Sequence, residues 1–404
     1  MLSKVEDDVR TIDFQVILIL FLLVLLALST LNGLFSNLDE VAGILALVIN
    51  TLYFIVGKLK RISLTVMLLL TTFFSAGLAS NFFSGVERTS IEIIIDALII
   101  AKPFLIFSAV YQLANSNTLV QLKRLLGSAI KIFLLIALFF CLLNQLRIVD
   151  MSEATNNSFR NFEFFFGFPV SFAILVLALF GIIMDTRKYI YKQPFFWICT
   201  ILVVSSLKTQ SLFFITVFVL LLALTRQKPT QISLRTIIII LFFSLLTALP
   251  SIINYFHTSF YSPRQVLMTG SIDLFRQYFP FGAGFATFGS PMAAQNYSPI
   301  YMNLGYNTLY GMGLGGDKSF LSDNFFAELI GQFGFIGILI FLALAINVVK
   351  TFRISQLNKN LNCYCISMFI SLLAINISSS FFSSAPGALM MCVLAILSKS
   401  TTVK

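Results

Sequence analysis

The chain has one histidine, His257, one tryptophan and few charges, since only 11% of its 404 residues are Asp, Glu, Lys or Arg. A histidine-based zinc site or a Ser-His-Asp triad would have to be built on His257 alone, and no Gly-x-Ser-x-Gly motif supplies a nucleophile. A Walker sequence and an Asp-x-Asp cluster are also missing, which argues against ATP-driven transport and against transfer from a metal-bound sugar nucleotide. We therefore expect chemistry that uses no metal and no other cofactor.

Apolar sequence dominates the chain. Hydrophobic residues make up 58% of it, and the mean hydropathy is +0.93. Runs of about 18 or more apolar residues recur, and each is long enough to cross a ~30 Å hydrocarbon core. Backbone polar groups in that core must be satisfied within the protein, and the two-residue alternation of a membrane β-barrel is missing, so the runs are interpreted as helices. The sequence predicts an all-α, polytopic integral membrane protein with a single membrane domain over 1–404.

About twelve spans are predicted along the chain. They lie approximately at 14–31, 41–57, 62–80, 91–113, 128–147, 164–184, 195–207, 211–225, 236–256, 323–349, 362–379 and 382–398. The seventh and eighth are short, and the break at Lys208 also permits one long, kinked helix. The boundary between the last two is open as well, because SSSFFSSAPG offers several turn positions.

The lysines and arginines orient this topology. With a cytoplasmic N-terminus, the basic residues concentrate on the cytoplasmic side at every turn of the chain, as the positive-inside rule requires. They are Lys4, Arg10, Lys58, Lys60, Arg61, Lys123, Arg124, Arg187, Lys188, Lys192, Arg226, Lys228, Arg235, Lys350, Arg353, Lys359, Lys399 and Lys404. Both termini are then cytoplasmic. The net charge of +10 is explained by these signals facing anionic lipid, so no nucleic-acid partner is expected.

One long polar segment, 257–322, separates the ninth and tenth spans, and this topology places it as a large external loop. Loops of such length usually have a function. The segment contains the glycine-rich stretch PFGAGFATFG and no cysteine, so no disulfide framework is expected in it. Its tyrosines have two interpretations, stacking on sugar rings or lying at the membrane interface. Its charged residues include Arg264, Asp273, Arg276, Asp317 and Lys318.

Four cations on the external side are candidates for an anion site. Arg160 precedes the sixth span, Lys208 lies between the seventh and eighth, and Arg264 and Arg276 begin the long segment. Arginine is always charged, and its guanidinium can bind two phosphate oxygens at once. An anion at the external face of a membrane points to a lipid phosphate or pyrophosphate. The alternative is that each cation is a solvated loop residue or a headgroup anchor.

Three segments, in order, resemble the O-antigen polymerase and ligase superfamily of bacterial envelope polysaccharide synthesis. They are Arg160 followed by Gly-Phe-Pro at 167–169, then SPRQVLMTGSIDLFRQYFPFGAGFATFG, then SDNFFAELIGQFGFIGILIFLAL. The resemblance implies a glycosyltransferase of the bacterial cytoplasmic (inner) membrane. Its substrate would be a polyprenyl-pyrophosphate-linked oligosaccharide. It would be surrounded by membrane lipid, and a chain-length regulator would be a further partner. The resemblance favours the polymerase over the ligase, because the ligase typically has histidine at Asp323 and an arginine where only Lys208 is near.

The resemblance and the chemistry together imply roles for individual residues. Arg264 and Arg160 are the candidates for neutralising the charge on the departing pyrophosphate, with Arg276 and Lys208 in support. Asp323 is the favoured acceptor of the proton from the attacking sugar hydroxyl. Asp323 or Ser322 also has a second interpretation, as the N-cap of the tenth helix.

Further polar residues and glycines complete the candidate site. Asp317 and Glu328 are the other candidate carboxylates, and Asn324 adjoins Asp323. Gly282 and Gly284 would let the backbone approach a phosphate or glycan closely, or would form an ordinary turn after the preceding proline.

Two charges inside the fourth span, Asp96 and Lys102, either face a lipid-phosphate cavity or pair with other polar groups. A flippase or other secondary transporter is the alternative function from a different class. Such a transporter commonly has internal repeats with matching broken helices in its two halves. No such repeat is visible in the sequence, and the long segment occurs only in the second half.

Overall fold

A computed structural model describes residues 13–31, 35, 37–152, 160–185, 189–224, 262–354, 359–377 and 379–399. Within these residues the fold is all-helical. The helices are α1 (Phe14–Ser29), α2 (Leu38–Ile55), α3 (Arg61–Ser84), α4 (Ser90–Leu113), α5 (Thr118–Gln145), α6 (Pro169–Ile183), α7 (Pro194–Ser205), α8 (Thr209–Leu224), α9 (Pro263–Gln277), α10 (Pro291–Gln295), α11 (Pro299–Asn303), α12 (Phe325–Ile354), α13 (Lys359–Ile375) and α14 (Ala385–Ser398). Short 3-10 turns occupy Ile190–Lys192, Tyr306–Thr308, Ser319–Ser322 and Phe381–Ser383.

The helix lengths agree with a protein embedded in a membrane. Five helices, α2, α3, α4, α5 and α12, have the length and apolar composition needed to cross a bilayer, and shorter apolar helices accompany them. Each predicted span coincides with a helix except the ninth, 236–256, which lies outside the described residues. The largest boundary difference is at α5, which begins at Thr118 rather than near 128.

The seventh and eighth predicted spans are two antiparallel helices and not one kinked helix. Between α7 and α8 the backbone of Leu207 is left-handed, at φ +50°. The ring of Phe196, near the start of α7, lies 6.3 Å from the ring of Phe218, near the end of α8. In one continuous helix these residues would be about 33 Å apart, at ~1.5 Å per residue. The chain therefore reverses direction at the break.

Helix α4 is enclosed by the rest of the bundle. A capping box begins it, in which Thr89 and Glu92 each accept the other's backbone N–H. From Asp96 onward nearly every residue is buried, against α2, α3 and α14. Its apolar residues surround the helix instead of forming one stripe, which is the pattern of a helix enclosed by protein. The polar side chains of α4 therefore need partners inside the bundle.

Helix α12 is broken at Gly334, whose backbone angles (φ +57°, ψ −146°) are not helical. The segment Pro280–Gly289, called the inserted segment below, packs into this break. Beyond the break, the Phe335 N–H donates to the Pro280 carbonyl at 3.0 Å. Before the break, two carbonyls of α12 accept N–H groups of the inserted segment: Gly331 from Ala283 at 2.9 Å and Gln332 from Gly284 at 2.7 Å. The inserted segment thus pairs backbone groups that a broken helix leaves without partners.

The inserted segment is buried and is held by α3 and α4. Side chains of α3 bind its backbone: Ser80 donates to the Phe281 carbonyl at 2.6 Å, Ser84 to the Ala283 carbonyl at 2.7 Å, and Asn81 bonds both backbone groups of Phe285 at 2.8 and 3.0 Å. On α4, Asp96 accepts the Ala286 N–H at 2.7 Å. Residues 282–290 are buried. This part of the predicted external loop is therefore enclosed by helices, and 257–261, with His257, lies outside the described residues.

The remainder of the long segment packs over the inserted segment around an apolar core of its own. Tyr301 and Tyr306 stack with ring centroids 5.8 Å apart, and Phe288 of the inserted segment lies 5.7 Å from Tyr301. Both tyrosines are buried. Neither of these two rings can therefore stack on a sugar in this conformation. The side chain of Tyr310, which is 78% exposed, is accessible for such stacking.

Candidate functional site

A cavity of about 360 Å³ lies at the end of the bundle that the long segment covers. Its volume is within the range of small-molecule pockets, ~300–1,000 Å³. Its walls come from the end of α1, the first turn of α2, the middle of α4, the start of α6 and the connection between α13 and α14. The lining residues are Ser29, Thr30, Asp39, Glu40, Ile99, Lys102, Phe166, Phe168, Ser171, Pro291, Ser322, Ser380, Phe381, Ser383, Ser384, Ala385 and Pro386.

A buried ion pair forms part of the cavity wall. The Lys102 ammonium donates to the Asp39 carboxylate, and their side chains are only 3% and 8% exposed. Gly43 leaves room for the lysine, because a Cβ there would lie 3.1 Å from the Lys102 Cγ. Lys102 therefore lines a cavity and has a polar partner, whereas Asp96 binds the inserted segment. No pattern in the sequence predicts the contact between Asp39 and Lys102, because the two residues are on different helices.

Breaking this pair is expected to destabilise the protein. Lys102→Met leaves the Asp39 carboxylate buried and unpaired, which costs about 3–5 kcal/mol. The double variant Lys102→Met/Asp39→Leu removes both charges and should recover most of that loss. Thermal unfolding of the purified protein in detergent measures both effects. A Lys102→Met variant as stable as the wild type would show that the pair contributes nothing to folding.

Arg264 and Asp323 are in direct contact beside this cavity. The Nε and Nη2 atoms of Arg264, in the first turn of α9, each lie 2.9 Å from Asp323 Oδ2. Asp323 directly follows Ser322, which lines the cavity. Both side chains are about a quarter exposed, so the pair is accessible. The candidate phosphate ligand, Arg264, and the candidate base, Asp323, are 59 residues apart in the sequence but are neighbours in the structure.

Asp323 is a candidate base by its surroundings. Burial raises the pKa of its carboxyl above the ordinary value, although the charge and the hydrogen bond of Arg264 act in the opposite direction. The N-cap function belongs to the next residue, since Asn324 Oδ1 accepts the Ala327 N–H at 3.1 Å. Asp323 and Ser322 are therefore not the cap, and Asp323 remains available for chemistry.

The other candidate cations lie on separate segments. Arg160 pairs with Asp150 at 3.2 Å. Lys208 directly precedes α8 and is half-buried. A backbone hydrogen bond of 2.9 Å from Phe162 to Ser205 brings the segment of Arg160 next to the end of α7, close in sequence to Lys208. Arg276 is exposed in the last turn of α9. The cavity lies between Ser322 and the segment that follows Arg160, because Phe166 and Phe168 line its other wall.

The two candidate glycines approach protein and not an open ligand site. A Cβ on Gly282 would lie 2.6 Å from the Gln332 carbonyl, and a Cβ on Gly284 would lie 2.4 Å from the Asn81 side chain. Both have a positive φ, +80° and +95°. The close backbone approach that the sequence suggested therefore occurs, but its partners are α12 and α3.

The two remaining carboxylates lie in contrasting environments. Asp317 is exposed and accepts hydrogen bonds from the backbone and hydroxyl of Ser319, which lower the pKa of its carboxyl. Glu328 is fully buried against Gly289, and neither of its carboxylate oxygens has a hydrogen-bond partner among the described residues. Neither residue lines the cavity.

Some lining residues were not identified as functional from the sequence. Glu40 directly precedes the predicted span 41–57, and Ser380, Ser383 and Ser384 lie in SSSFFSSAPG, in which the sequence indicates only turn positions. These lining residues are brought together by the ends of different helices, and no local sequence pattern predicts that arrangement. Comparison of the chain with protein-family models, with curated proteins and with solved structures finds no match in any of the three.

Proposed function

We propose that the protein is a polysaccharide polymerase of the bacterial cytoplasmic membrane. It would transfer a glycan from polyprenyl pyrophosphate to a sugar hydroxyl of another lipid-linked repeat unit at the external face. The observation that supports this proposal is the contact of Arg264 with Asp323, which directly follows the cavity-lining Ser322, at the end of an apolar helical bundle. A cation for a leaving pyrophosphate and a carboxylate for a hydroxyl proton are the two groups that such a transfer needs.

The reaction can be written on these two residues. The acceptor hydroxyl oxygen attacks C1 of the donor sugar, the bond from C1 to the pyrophosphate oxygen breaks, and its electron pair leaves with the pyrophosphate. The hydroxyl proton passes to the Asp323 carboxylate. Arg264 neutralises the negative charge that grows on the departing phosphate, and Arg160, Arg276 and Lys208 are the further candidate cations.

The ion pair has a further consequence for this reaction. With no substrate bound, Arg264 donates two N–H groups to Asp323 and lowers the basicity of that carboxylate. A pyrophosphate competes for the same guanidinium. When Arg264 turns to the phosphate, Asp323 loses a hydrogen-bond donor and becomes the stronger base. Arrival of the donor thus prepares the proton acceptor.

The proposal is tested in cells that lack the protein, with their surface glycan resolved by size on a gel. A polymerase predicts single repeat units on the lipid core where the complemented strain shows a ladder. Long chains that accumulate on the lipid carrier would instead indicate the ligase, which transfers finished glycan to lipid A-core. Loss of every glycan from the external face would indicate a flippase. An unchanged ladder would contradict all three.

The pH dependence of chain extension should follow Asp323. The residue accepts a proton only when it is ionised, so activity is present above its pKa and is lost as the pH falls through it. Because burial raises the pKa of Asp323, the acidic limb should lie above the ordinary aspartate value of about 3.9. Initial rates in isolated membranes from acidic to neutral pH measure this limb. An Asp323→Asn variant with residual activity and an unchanged acidic limb would exclude Asp323 as the titrating group.

A further inference from the structure

Five of the seven hydroxyl groups that line the cavity already donate their hydrogen to a backbone carbonyl. Ser29 and Thr30 donate to backbone carbonyls three residues earlier at 2.8 and 2.6 Å. Ser383 and Ser384 do the same at 3.1 and 2.8 Å, and Ser380 donates to the Ser322 carbonyl. A hydroxyl has one hydrogen and two lone pairs, so each of these groups offers its oxygen as an acceptor.

Carboxylates strengthen this bias toward acceptors. Asp39 and Glu40 add carboxylate oxygens to the lining, and Lys102, the cavity's cation, already donates to Asp39. Glu40 has no ion-pair partner among the described residues. A phosphate brings only acceptors and negative charge, so this lining matches it poorly. A neutral ligand rich in hydroxyl donors matches it well.

We propose that the cavity binds a neutral sugar of the acceptor glycan through the hydroxyl hydrogens of that sugar, and that the pyrophosphate binds elsewhere, at Arg264. This inference rests on the proposed function. Glu40, Asp39 and the serine oxygens accept the sugar hydroxyls, while Phe166 and Phe168 cover the apolar face of the ring. The position of Ser322 in the lining sets the bound sugar next to Asp323, where its reacting hydroxyl loses the proton.

The position of the ion pair supports a binding role. Lys102 lies about 18 Å along α4 from Ser90, at ~1.5 Å per residue, in a helix long enough to cross a membrane. Buried charged groups in membrane-spanning helices are expensive and usually serve a function. A cavity that holds a polar sugar ring gives this buried pair such a function.

The test measures binding of two probes to the full-length protein in nanodiscs, by the shift in thermal unfolding. One probe is the phosphate-free oligosaccharide released by acid from the lipid-linked intermediates of the source cells. The other is inorganic pyrophosphate. Glu40→Gln should weaken oligosaccharide binding about tenfold, the effect of one lost hydrogen bond to a charged group. Glu87→Gln is the matched control, because Glu87 is exposed on the α3–α4 connection and outside the cavity lining.

A second pair of variants separates this inference from the proposed function. Ser171→Ala should weaken binding of the oligosaccharide and leave binding of pyrophosphate unaffected, whereas Arg264→Ala should do the reverse.

The outcomes distinguish the two proposals. If the oligosaccharide binds in a way that depends on Glu40 but loss of the protein does not change the glycan ladder, the cavity proposal is retained and the polymerase proposal is overturned. If the ladder depends on the protein but the oligosaccharide does not bind to it, the cavity proposal alone is overturned. Pyrophosphate binding that is lost in Lys102→Met but kept in Arg264→Ala would make the cavity an anion site. Lack of any lipid-linked saccharide in the cells would overturn both.

Discussion

Arg264→Ala is expected to reduce the surface glycan to single repeat units while the protein remains in the membrane at wild-type amounts. The guanidinium is the cation in contact with the candidate base, and loss of one such electrostatic contact costs roughly 10²–10³-fold in rate. Arg264→Lys should retain only part of the activity, because an ammonium cannot reproduce the two-point contact. The glycan ladder and the chain-extension rate in membranes measure the effect. Gln265→Ala, on the next residue of α9, is the control.

A double variant distinguishes catalysis from structural support. If the ion pair only stabilises the fold, Arg264→Ala is harmful because it leaves Asp323 unpaired, and Arg264→Ala/Asp323→Ala should restore function. If the two residues act on the substrates, the double variant should remain as inactive as either single variant. Recovery of the ladder in the double variant would contradict the roles proposed for both residues.

Gly282→Ala is expected to prevent stable folding. Its Cβ would lie 2.6 Å from the Gln332 carbonyl at the break in α12, a contact that requires the backbone to move. The expected loss combines about 1–2 kcal/mol for the left-handed backbone and ~1–3 kcal/mol for overpacking. Thermal unfolding and the monodisperse fraction in size-exclusion chromatography of the purified protein report it.

A second glycine isolates the effect of the close approach. Gly305 has nearly the same backbone angle, φ +73° against +80° for Gly282, but a Cβ there would meet nothing within 4 Å. Gly305→Ala therefore carries the conformational cost without the clash. Equal losses in the two variants would show that the inserted segment can shift away from α12. A much larger loss at Gly282 would show that it is held in place.

Much of the helical fold is determined locally. Apolar runs of sufficient length must be helical in a membrane because the backbone has no other hydrogen-bond partners, so the positions of α1–α8 and α12–α14 follow from the sequence. Thr89 and Glu92 likewise mark the start of α4 through a local capping pattern. The glycines of GQFG, at 331–334, are visible in the sequence of the tenth predicted span, but nothing in that sequence predicts the helix break at Gly334.

The tertiary structure alone decided where the long segment goes and which residues meet. The inserted segment is a glycine-rich part of the long polar segment 257–322, yet it is buried because α3, α4 and the broken α12 supply partners for its backbone. The sequence by itself determined a helical membrane protein and a set of candidate charges, including Arg264 and Asp323. The contact between those two, the pairing of Lys102 with Asp39 and the cavity depend on distant helix ends meeting, and periodicity and composition carry no information about such long-range contacts.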